Sequence, residues 1–203
     1  MADLEFFFDP ICPWAWITAN WVMHVQEERP LEVDWRFISL AVVNEGKGEV
    51  KEGHARSLRL LRVAAAVRVE AGPEQVLPYY RALGGVIHLE RDAARLDGEG
   101  GIAAVLDGLG LPAGLASAAT DAGAYDATVR AETAEALDRC GGDIGTPVLS
   151  FTPPHGPSFF GPVINKAPRG KEAVELWECV SVLGANPHFS ELKRSLRGRP
   201  DFE

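Results

Sequence analysis

The stretch 6–16, Phe-Phe-Phe-Asp-Pro-Ile-Cys-Pro-Trp-Ala-Trp, constrains the fold most strongly. A short apolar run that is followed by turn residues predicts a buried strand. Proline is favoured at the first position of a helix, because its missing N–H would have no partner there. The stretch therefore predicts a strand, a tight turn and a helix that begins at Cys12 and Pro13.

Cys12 is the predicted reactive residue. Unpaired backbone N–H groups and the positive end of the helix dipole favour a thiolate at a helix start, and the thiolate is the nucleophilic form of cysteine. A second cysteine three positions later could attack a mixed disulfide on the first, but Ala15 stands there. A mechanism that needs an adjacent resolving thiol is therefore disfavoured. The alternative interpretation is a buried structural cysteine.

Composition narrows the functional class. The 203 residues, 46% of them hydrophobic, are enough for one domain with a large core and an inserted subdomain. A net charge of −9 argues against nucleic acid or an anionic membrane as partner. The acidic N-terminus and the lack of an apolar run of about 18 residues predict a cytoplasmic protein. The three widely spaced cysteines predict neither a disulfide framework nor a metal site.

Hydrophobic periodicity predicts the order of elements. A strand at 4–8, a helix that ends before Pro30 and a strand at 31–40 form a βαβ unit. The composition then changes to helix-forming residues, with helices predicted at 55–70, 74–83, 101–109 and 124–139, separated by glycine and proline. A β-hairpin at 145–164 and helices at 172–183 and 189–197 complete the chain. The pattern predicts an α/β domain interrupted by helices.

This arrangement, with Cys-Pro at the first turn and Gly-Thr-Pro opening the hairpin, resembles the DsbA-like branch of the thioredoxin superfamily. The resemblance implies a thioredoxin fold (βαβ…ββα) formed by 1–45 and 141–203, with a helical subdomain inserted at 46–140. It also implies that the peptide bond between Thr146 and Pro147 is cis. The proline would then lie against Cys12, and the backbone before it would pair with a bound thiol compound.

Two further motifs, Asp-Pro-x-Cys-Pro-Trp at 9–14 and Phe-Gly-Pro-Val at 160–163, are similar to those of actinobacterial mycothiol-dependent nitroreductase-like proteins. That resemblance implies a thiol-dependent oxidoreductase with a small thiol, mycothiol or glutathione, as cofactor. It places Asn44 at the active-site pocket, with His54 where the family has a tyrosine. Better-known members have Cys-Pro-Trp-Cys, so Ala15 implies a monothiol mechanism in which an external thiol releases Cys12.

The predicted site has Cys12 as nucleophile and a set of residues that hold the substrate or the small thiol. These are Pro13, Trp14, Asn44, His54, Thr146 and Pro147. Three of them have plainer interpretations: Trp14 as a packing residue, Asn44 as a partner of loop backbone and His54 as an ordinary helix-start residue. Cys140, six residues before Thr146, is a candidate resolving cysteine, and Cys179 is predicted to be a core residue.

Other interpretations remain open at this point. The kappa-class glutathione transferase and 2-hydroxychromene-2-carboxylate isomerase group shares the fold and needs no resolving cysteine, and a non-catalytic thiol-binding module is a third option. Arg56, Arg59 and Arg62 recur along one predicted helix face. They attract an anionic substrate or form a solvated face with neighbouring acids. The predicted partners are a small thiol and a small-molecule or disulfide substrate.

Overall fold

The computed structural model describes residues 2–48, 52–153, 155–194, 196 and 198–202. Within these ranges the chain forms one four-stranded sheet and seven α-helices, which confirms the α/β prediction. The elements, in chain order, are β1 (Leu4–Phe8), α1 (Pro13–Glu28), β2 (Val33–Phe37), α2 (Leu40–Val43), α3 (Glu52–Ala71), α4 (Val76–Gly84), α5 (Glu99–Gly108), α6 (Ala124–Cys140), β3 (Val148–Phe151), β4 (Ser158–Phe160) and α7 (Gly170–Gly184).

The strands lie in the order β2-β1-β3-β4. β1 pairs with β3 in antiparallel fashion, with Phe6 opposite Leu149, and β3 pairs with β4 to form the predicted hairpin. All five residues of β1 are buried, which accounts for its uninterrupted apolar run. Glu5 is the one charged residue of β1, and its buried carboxylate forms ion pairs with Arg36 and Arg139.

The chain divides into two compact units. The first comprises Met1–Phe8, Cys12–Arg36 and Ala136–Glu203, and the second comprises Asp9–Ile11 and Phe37–Glu135. The first contains the pairing of β1, β3 and β4 together with α1 and α7, whereas the second is mainly helical. The boundaries 46–140 of the inserted subdomain stay a prediction.

Aromatic packing stabilises the core of the first unit. The rings of Trp21 and Trp177 lie 5.8 Å apart, and Trp177 also packs on Phe151 at 6.0 Å. The indole N–H of Trp21 donates to the carbonyl of Ala173 at 2.9 Å, so its polar atom is satisfied although it is buried. Trp21 and Trp177 are both buried and belong to this core.

Four predictions about local structure are wrong. β2 ends at Phe37, and the residues after it begin the short helix α2. The glycines at 84 and 85 do not stop α4, which continues as a π-helical turn at Gly85–Leu89. No helix forms over 189–194, where Phe189 packs on Phe159 instead; residues 195 and 197 lie outside the described residues. Cys179 is exposed, because α7 buries its opposite face.

None of the described helices combines the length and the apolar character that a membrane span requires.

Candidate active site around Cys12

Cys12 occupies the N-cap of α1, and Pro13 is the first helical residue, as predicted. The N–H of Ala15 donates to the Cys12 sulfur at 3.5 Å, so the sulfur takes the part that a serine or aspartate oxygen plays at most helix starts. Cys12 is 4% exposed. Negative charge on this sulfur would be favoured by the aimed N–H and by the helix dipole.

The loop before β3 brings Thr146 and Pro147 to Cys12. The Cys12 thiol donates to the carbonyl oxygen of Thr146 at 3.4 Å, across a sequence separation of 134 residues. The peptide bond between Thr146 and Pro147 is cis, which confirms the expectation from the resemblance. The hydroxyl Oγ1 of Thr146 is buried and has no hydrogen-bond partner among the residues that the structure describes. The residue whose carbonyl accepts from the Cys12 thiol therefore also carries a buried hydroxyl that has no partner among the described residues.

Trp14 is partly exposed and lines a groove in the first unit with a volume of about 1510 Å³. Apolar side chains in the same lining include Ile144, Phe160 and Val163. The groove has room for a small-molecule substrate, and Trp14, two residues after Cys12, supplies aromatic surface to it, although Cys12 itself is not among the residues that line it. The geometry is compatible with the predicted binding role of Trp14.

Cys140, the last residue of α6, also lines this groove. Burial raises the pKa of the Cys140 thiol to about 11, and the neighbouring Arg139 guanidinium acts in the opposite direction. Cys12, Cys140 and Cys179 are all free thiols. A thiol with a pKa this high has a very small thiolate fraction near neutral pH, and so it is a poor resolving nucleophile.

Asn44 and His54 lie in the second unit. The side-chain amide of Asn44 donates to the carbonyl of Leu40 at 2.7 Å, which is the local backbone contact of the plainer interpretation. His54 lies in the first turn of α3. Contacts of either residue with a bound thiol stay a prediction.

The arginines of α3 form ion pairs and do not offer a free basic surface. Arg56 makes a bidentate contact with Asp97, Arg59 donates to the backbone carbonyl of the same residue, and Arg62 pairs with Asp126. The predicted neighbouring acids are present, but the face is not solvated, since the side chains of Arg56 and Arg62 are only 13% and 14% exposed.

Sequence reasoning missed Asp9 as a buried polar centre. Its carboxylate accepts hydrogen bonds from the N–H of Ile11 at 3.0 Å, the N–H of Leu40 at 2.7 Å and the hydroxyl of Ser57 at 2.5 Å. Burial raises the pKa of Asp9 to about 6, because desolvation outweighs these three hydrogen bonds. The only sequence signal was its place in the Asp-Pro turn.

His88 was missed as well. Its Nε2 lies 2.9 Å from the carbonyl oxygen of Pro10, and because a carbonyl only accepts, Nε2 carries the proton. Burial lowers the pKa of His88 to about 4, although this hydrogen bond acts in the opposite direction. His88 is therefore a neutral imidazole at physiological pH.

The family model for Rv2466c-like proteins, described as mycothiol-dependent nitroreductase Rv2466c, matches residues 11–194. The chain belongs to this family. It is thus a thiol-dependent oxidoreductase with a DsbA-like thioredoxin fold, which confirms the prediction from the sequence. The family name records dependence on mycothiol, a low-molecular-weight thiol.

A curated relative and two solved structures illustrate the similarity. The chain is 30% identical over 201 residues to the uncharacterized protein Rv2286c of Mycobacterium tuberculosis (strain ATCC 25618 / H37Rv), a match that covers 96% of this chain and 82% of the relative. The probable DsbA oxidoreductase SCO1869 of Streptomyces coelicolor has a TM-score of 0.61 at 16% identity, and the match covers 96% of this chain and 94% of that structure. The cytosolic disulfide reductase DsbM of Pseudomonas aeruginosa with GSH has a TM-score of 0.53 at 15% identity, with coverages of 73% and 85%. At such identities the two structures show the fold.

We expect His88→Gln to make the protein less sensitive to acid. The folded-state pKa of His88 is about 4 and its ordinary value 6.5, so between these values the unfolded chain binds more protons. The stability that His88 contributes is therefore fully present above pH 6.5 and is lost as the pH falls toward 4.

Glutamine can donate to Pro10 but does not titrate. Between about pH 7 and pH 5, the wild type should lose about 2 kcal/mol more unfolding free energy than the variant in urea titrations. Equal losses would contradict the assignment.

Proposed function

We propose that Cys12 is the nucleophile of a monothiol disulfide-exchange reaction with mycothiol as co-substrate. One observation carries the proposal: the Cys12 sulfur lies between the Ala15 N–H and the Thr146 carbonyl, while the fully buried Ala15 stands where a resolving cysteine would be. The protein would therefore have a thiol at a helix start, where the Ala15 N–H and the helix dipole favour the thiolate, and no neighbouring sulfur at position 15 to release it.

The reaction has two exchange steps at Cys12 and a third between small thiols in solution. The Cys12 thiolate attacks one sulfur of a substrate disulfide, the sulfur–sulfur bond breaks, and the leaving thiolate takes the electron pair and then a proton. Cys12 is left in a mixed disulfide. A thiolate from solution attacks that mixed disulfide at the substrate sulfur and restores the Cys12 thiolate, and a second one completes the reduction. One substrate disulfide is reduced to two thiols while two small thiols are oxidised to their disulfide.

The sulfur that releases Cys12 must come from outside the chain. Ala15 offers none, and the pKa of about 11 makes Cys140 almost fully protonated near neutral pH. Cys179 lies on the exposed face of α7. The dependence of the family on mycothiol and the structure of DsbM with GSH, a small thiol, both support a small-thiol co-substrate.

The proposed ligand contacts follow the geometry around Cys12. In this proposal the backbone and hydroxyl of Thr146 would contact the sulfur side of the ligand, with Pro147 beside them, and Pro13 and Trp14 would provide apolar surface at the helix start. Asn44 and His54 are proposed as polar contacts on the strength of the resemblance. The polar part of a small thiol needs such hydrogen-bonding groups at the margin of an apolar pocket.

The test is to incubate the protein with the disulfides of mycothiol and of glutathione, and to locate adducts by intact-mass and peptide mass spectrometry. We expect one adduct per chain, on Cys12, that forms faster with mycothiol and is reversed by the reduced thiol. Cys12→Ser is the matched control and should form none. An adduct on Cys140 or Cys179 in place of Cys12 would contradict the proposal. Conjugation of an added electrophile without thiol oxidation would indicate a transferase.

Thr146→Val should separate binding from stability. Valine keeps the shape of threonine but lacks the hydroxyl, and that hydroxyl has no hydrogen-bond partner among the described residues. We expect the unfolding free energy to stay the same or to rise by about 1 kcal/mol, because an unsatisfied buried group is removed. Adduct formation at Cys12 should slow about tenfold, since one hydrogen bond to the ligand is lost. Thr146→Ser keeps the hydroxyl and should react at nearly the wild-type rate. If Thr146→Val reacts at the wild-type rate, the Thr146 hydroxyl does not contact the ligand.

A further inference from the structure

We propose that Asp9 and His88 are positioning residues for Cys12, because they hold the segment Asp9–Ile11, which is joined directly to Cys12, by its side chain and by its backbone. The inference rests on the proposed function of Cys12. A single peptide bond joins Ile11 of the second unit to Cys12 of the first, so the placement of this short segment limits the placement of the nucleophile.

The first anchor is the Asp9 carboxylate. One oxygen accepts from the N–H of Ile11 within the turn, and the other accepts from the N–H of Leu40, the first residue of α2, and from the hydroxyl of Ser57 in α3. Ser57 also lies 2.9 Å from the hydroxyl of Ser39. The turn and two helices of the second unit, α2 and α3, therefore meet at one fully buried carboxylate, and the turn cannot shift without breaking hydrogen bonds to both helices.

The second anchor is the imidazole of His88. It lies in the π-helical turn Gly85–Leu89 and donates to the carbonyl of Pro10. A buried backbone carbonyl needs a donor, and proline contributes no N–H of its own to a local hydrogen bond. Single π-helical turns are uncommon and occur frequently at functional sites. Here the turn presents a histidine to the residue two positions before Cys12.

Neither residue acts on a substrate directly. The Asp9 carboxylate is fully buried and accepts three hydrogen bonds from the protein, and the Nε2 of His88 donates to the Pro10 carbonyl. The hydrogen bonds of Asp9 and His88 hold the segment Asp9–Ile11, which directly precedes Cys12. Exchange at sulfur requires an aligned approach, and a displacement of about 1 Å can slow a positioned reaction by orders of magnitude. Holding the segment is therefore a contribution to rate.

The charge of the first anchor, the Asp9 carboxylate, changes near physiological pH. The groups that donate to the Asp9 carboxylate are uncharged: the Ser57 hydroxyl and two backbone N–H groups. Charged and titratable groups on the surrounding elements include His54 and Arg56 of α3, with Arg56 paired to Asp97, and Glu132 of α6, which is paired to Arg68. His88 lies against Pro10, the residue next to Asp9. Burial raises the pKa of Asp9 to about 6. A neutral carboxyl holds N–H donors less strongly than a carboxylate, so the anchor weakens as the pH falls.

The experiment measures the rate at which Cys12 reacts with dipyridyl disulfide in Asp9→Asn and in wild type across the pH range. Asparagine mimics the protonated carboxyl, so the ratio of the two rates should be near one below about pH 5 and should fall about tenfold above about pH 7. The thiolate fraction of Cys12 is measured in each variant over the same pH range, and the rates are compared per thiolate, because removing the Asp9 charge also changes the Cys12 pKa. His88→Leu, which cannot donate to Pro10, should slow the reaction, and His88→Gln should restore it.

Asp126→Asn is the matched control. Asp126 is a nearly buried carboxylate of the same unit, and its ion pairs are with Arg62 and Arg130 instead of the Asp9–Ile11 segment. The variant should have a lower unfolding free energy and a Cys12 rate ratio that stays flat with pH. A flat ratio in Asp9→Asn, or the same change in Asp126→Asn, would overturn the inference. Dipyridyl disulfide measures the reactivity of the Cys12 thiol and not turnover. The result for Asp9→Asn can therefore be interpreted even if Cys12→Ser retains turnover and the proposed function fails.

Discussion

Cys12→Ser will abolish reduction of a small disulfide such as bis(2-hydroxyethyl) disulfide by mycothiol or glutathione. Serine preserves the N-cap, since its oxygen can accept from the Ala15 N–H that now reaches the sulfur at 3.5 Å, and so the fold should be retained. The hydroxyl cannot form a disulfide. We expect turnover to fall at least about a thousandfold, to the rate of the uncatalysed exchange.

The same assay on Cys140→Ser and Cys179→Ser tests the monothiol mechanism. Neither residue forms a disulfide with Cys12, and the raised pKa of Cys140 keeps it protonated. Both variants should stay within about twofold of wild type. If Cys140→Ser loses as much activity as Cys12→Ser, the mechanism uses two cysteines, and Cys140 must move to resolve the mixed disulfide.

Ala15→Cys is expected to convert the protein into a dithiol enzyme. Ala15 lies in the first turn of α1, and its own N–H reaches the Cys12 sulfur, so a thiol on its β-carbon would start close to that sulfur. After mixed-disulfide formation, the new thiol would attack Cys12 from within the chain. Release of the bound thiol should become on the order of a hundredfold faster than with millimolar external thiol, because the attack is intramolecular.

The measurement is a single-turnover release experiment without added thiol. Ala15→Cys should release the bound thiol and end with a disulfide between Cys12 and the introduced cysteine, seen as blocked alkylation at both positions, whereas wild type should retain the adduct. Ala15→Ser is the control, since it adds a side chain of nearly the same size without a thiol. Ala15 is fully buried, so both variants share any packing cost. An adduct that persists in Ala15→Cys would show that position 15 does not give access to the Cys12 sulfur.

The start of the site was predictable from the sequence because its causes are local. An apolar run, a turn and Cys12 before Pro13 define a strand and a helix start within a dozen residues. Thr146 and Pro147 could be assigned to Cys12 only through the resemblance, since no local pattern links residues 134 positions apart. The same reason hid Asp9 and His88, whose partners Ser57 and Pro10 lie 48 and 78 positions away.

The wrong prediction that Cys179 is a core residue shows that helical periodicity must be applied to each residue separately. Its neighbour Trp177 is buried, and the apolar surroundings suggested a core position for both. Residues two apart on a helix point to different faces, however. The buried residues of α7 are Ala173, Trp177 and Gly184, so the cysteine lies on the other side, as does Val182, which is 73% exposed. The sequence predicted the helix at 172–183, but which of its faces is buried is set by tertiary packing.

The sulfur of Cys12 also has a structural consequence for the helix that it begins. It caps α1 through the Ala15 N–H. A thiolate is a strong hydrogen-bond acceptor, whereas a sulfur in a mixed disulfide carries no charge and accepts weakly. Under the proposed mechanism, the first turn of α1 is therefore held most firmly in the resting enzyme and is loosened while a thiol compound is attached. Each catalytic cycle would then fray and re-form one helix end, and the loosened turn would favour the departure of the thiol bound beside it.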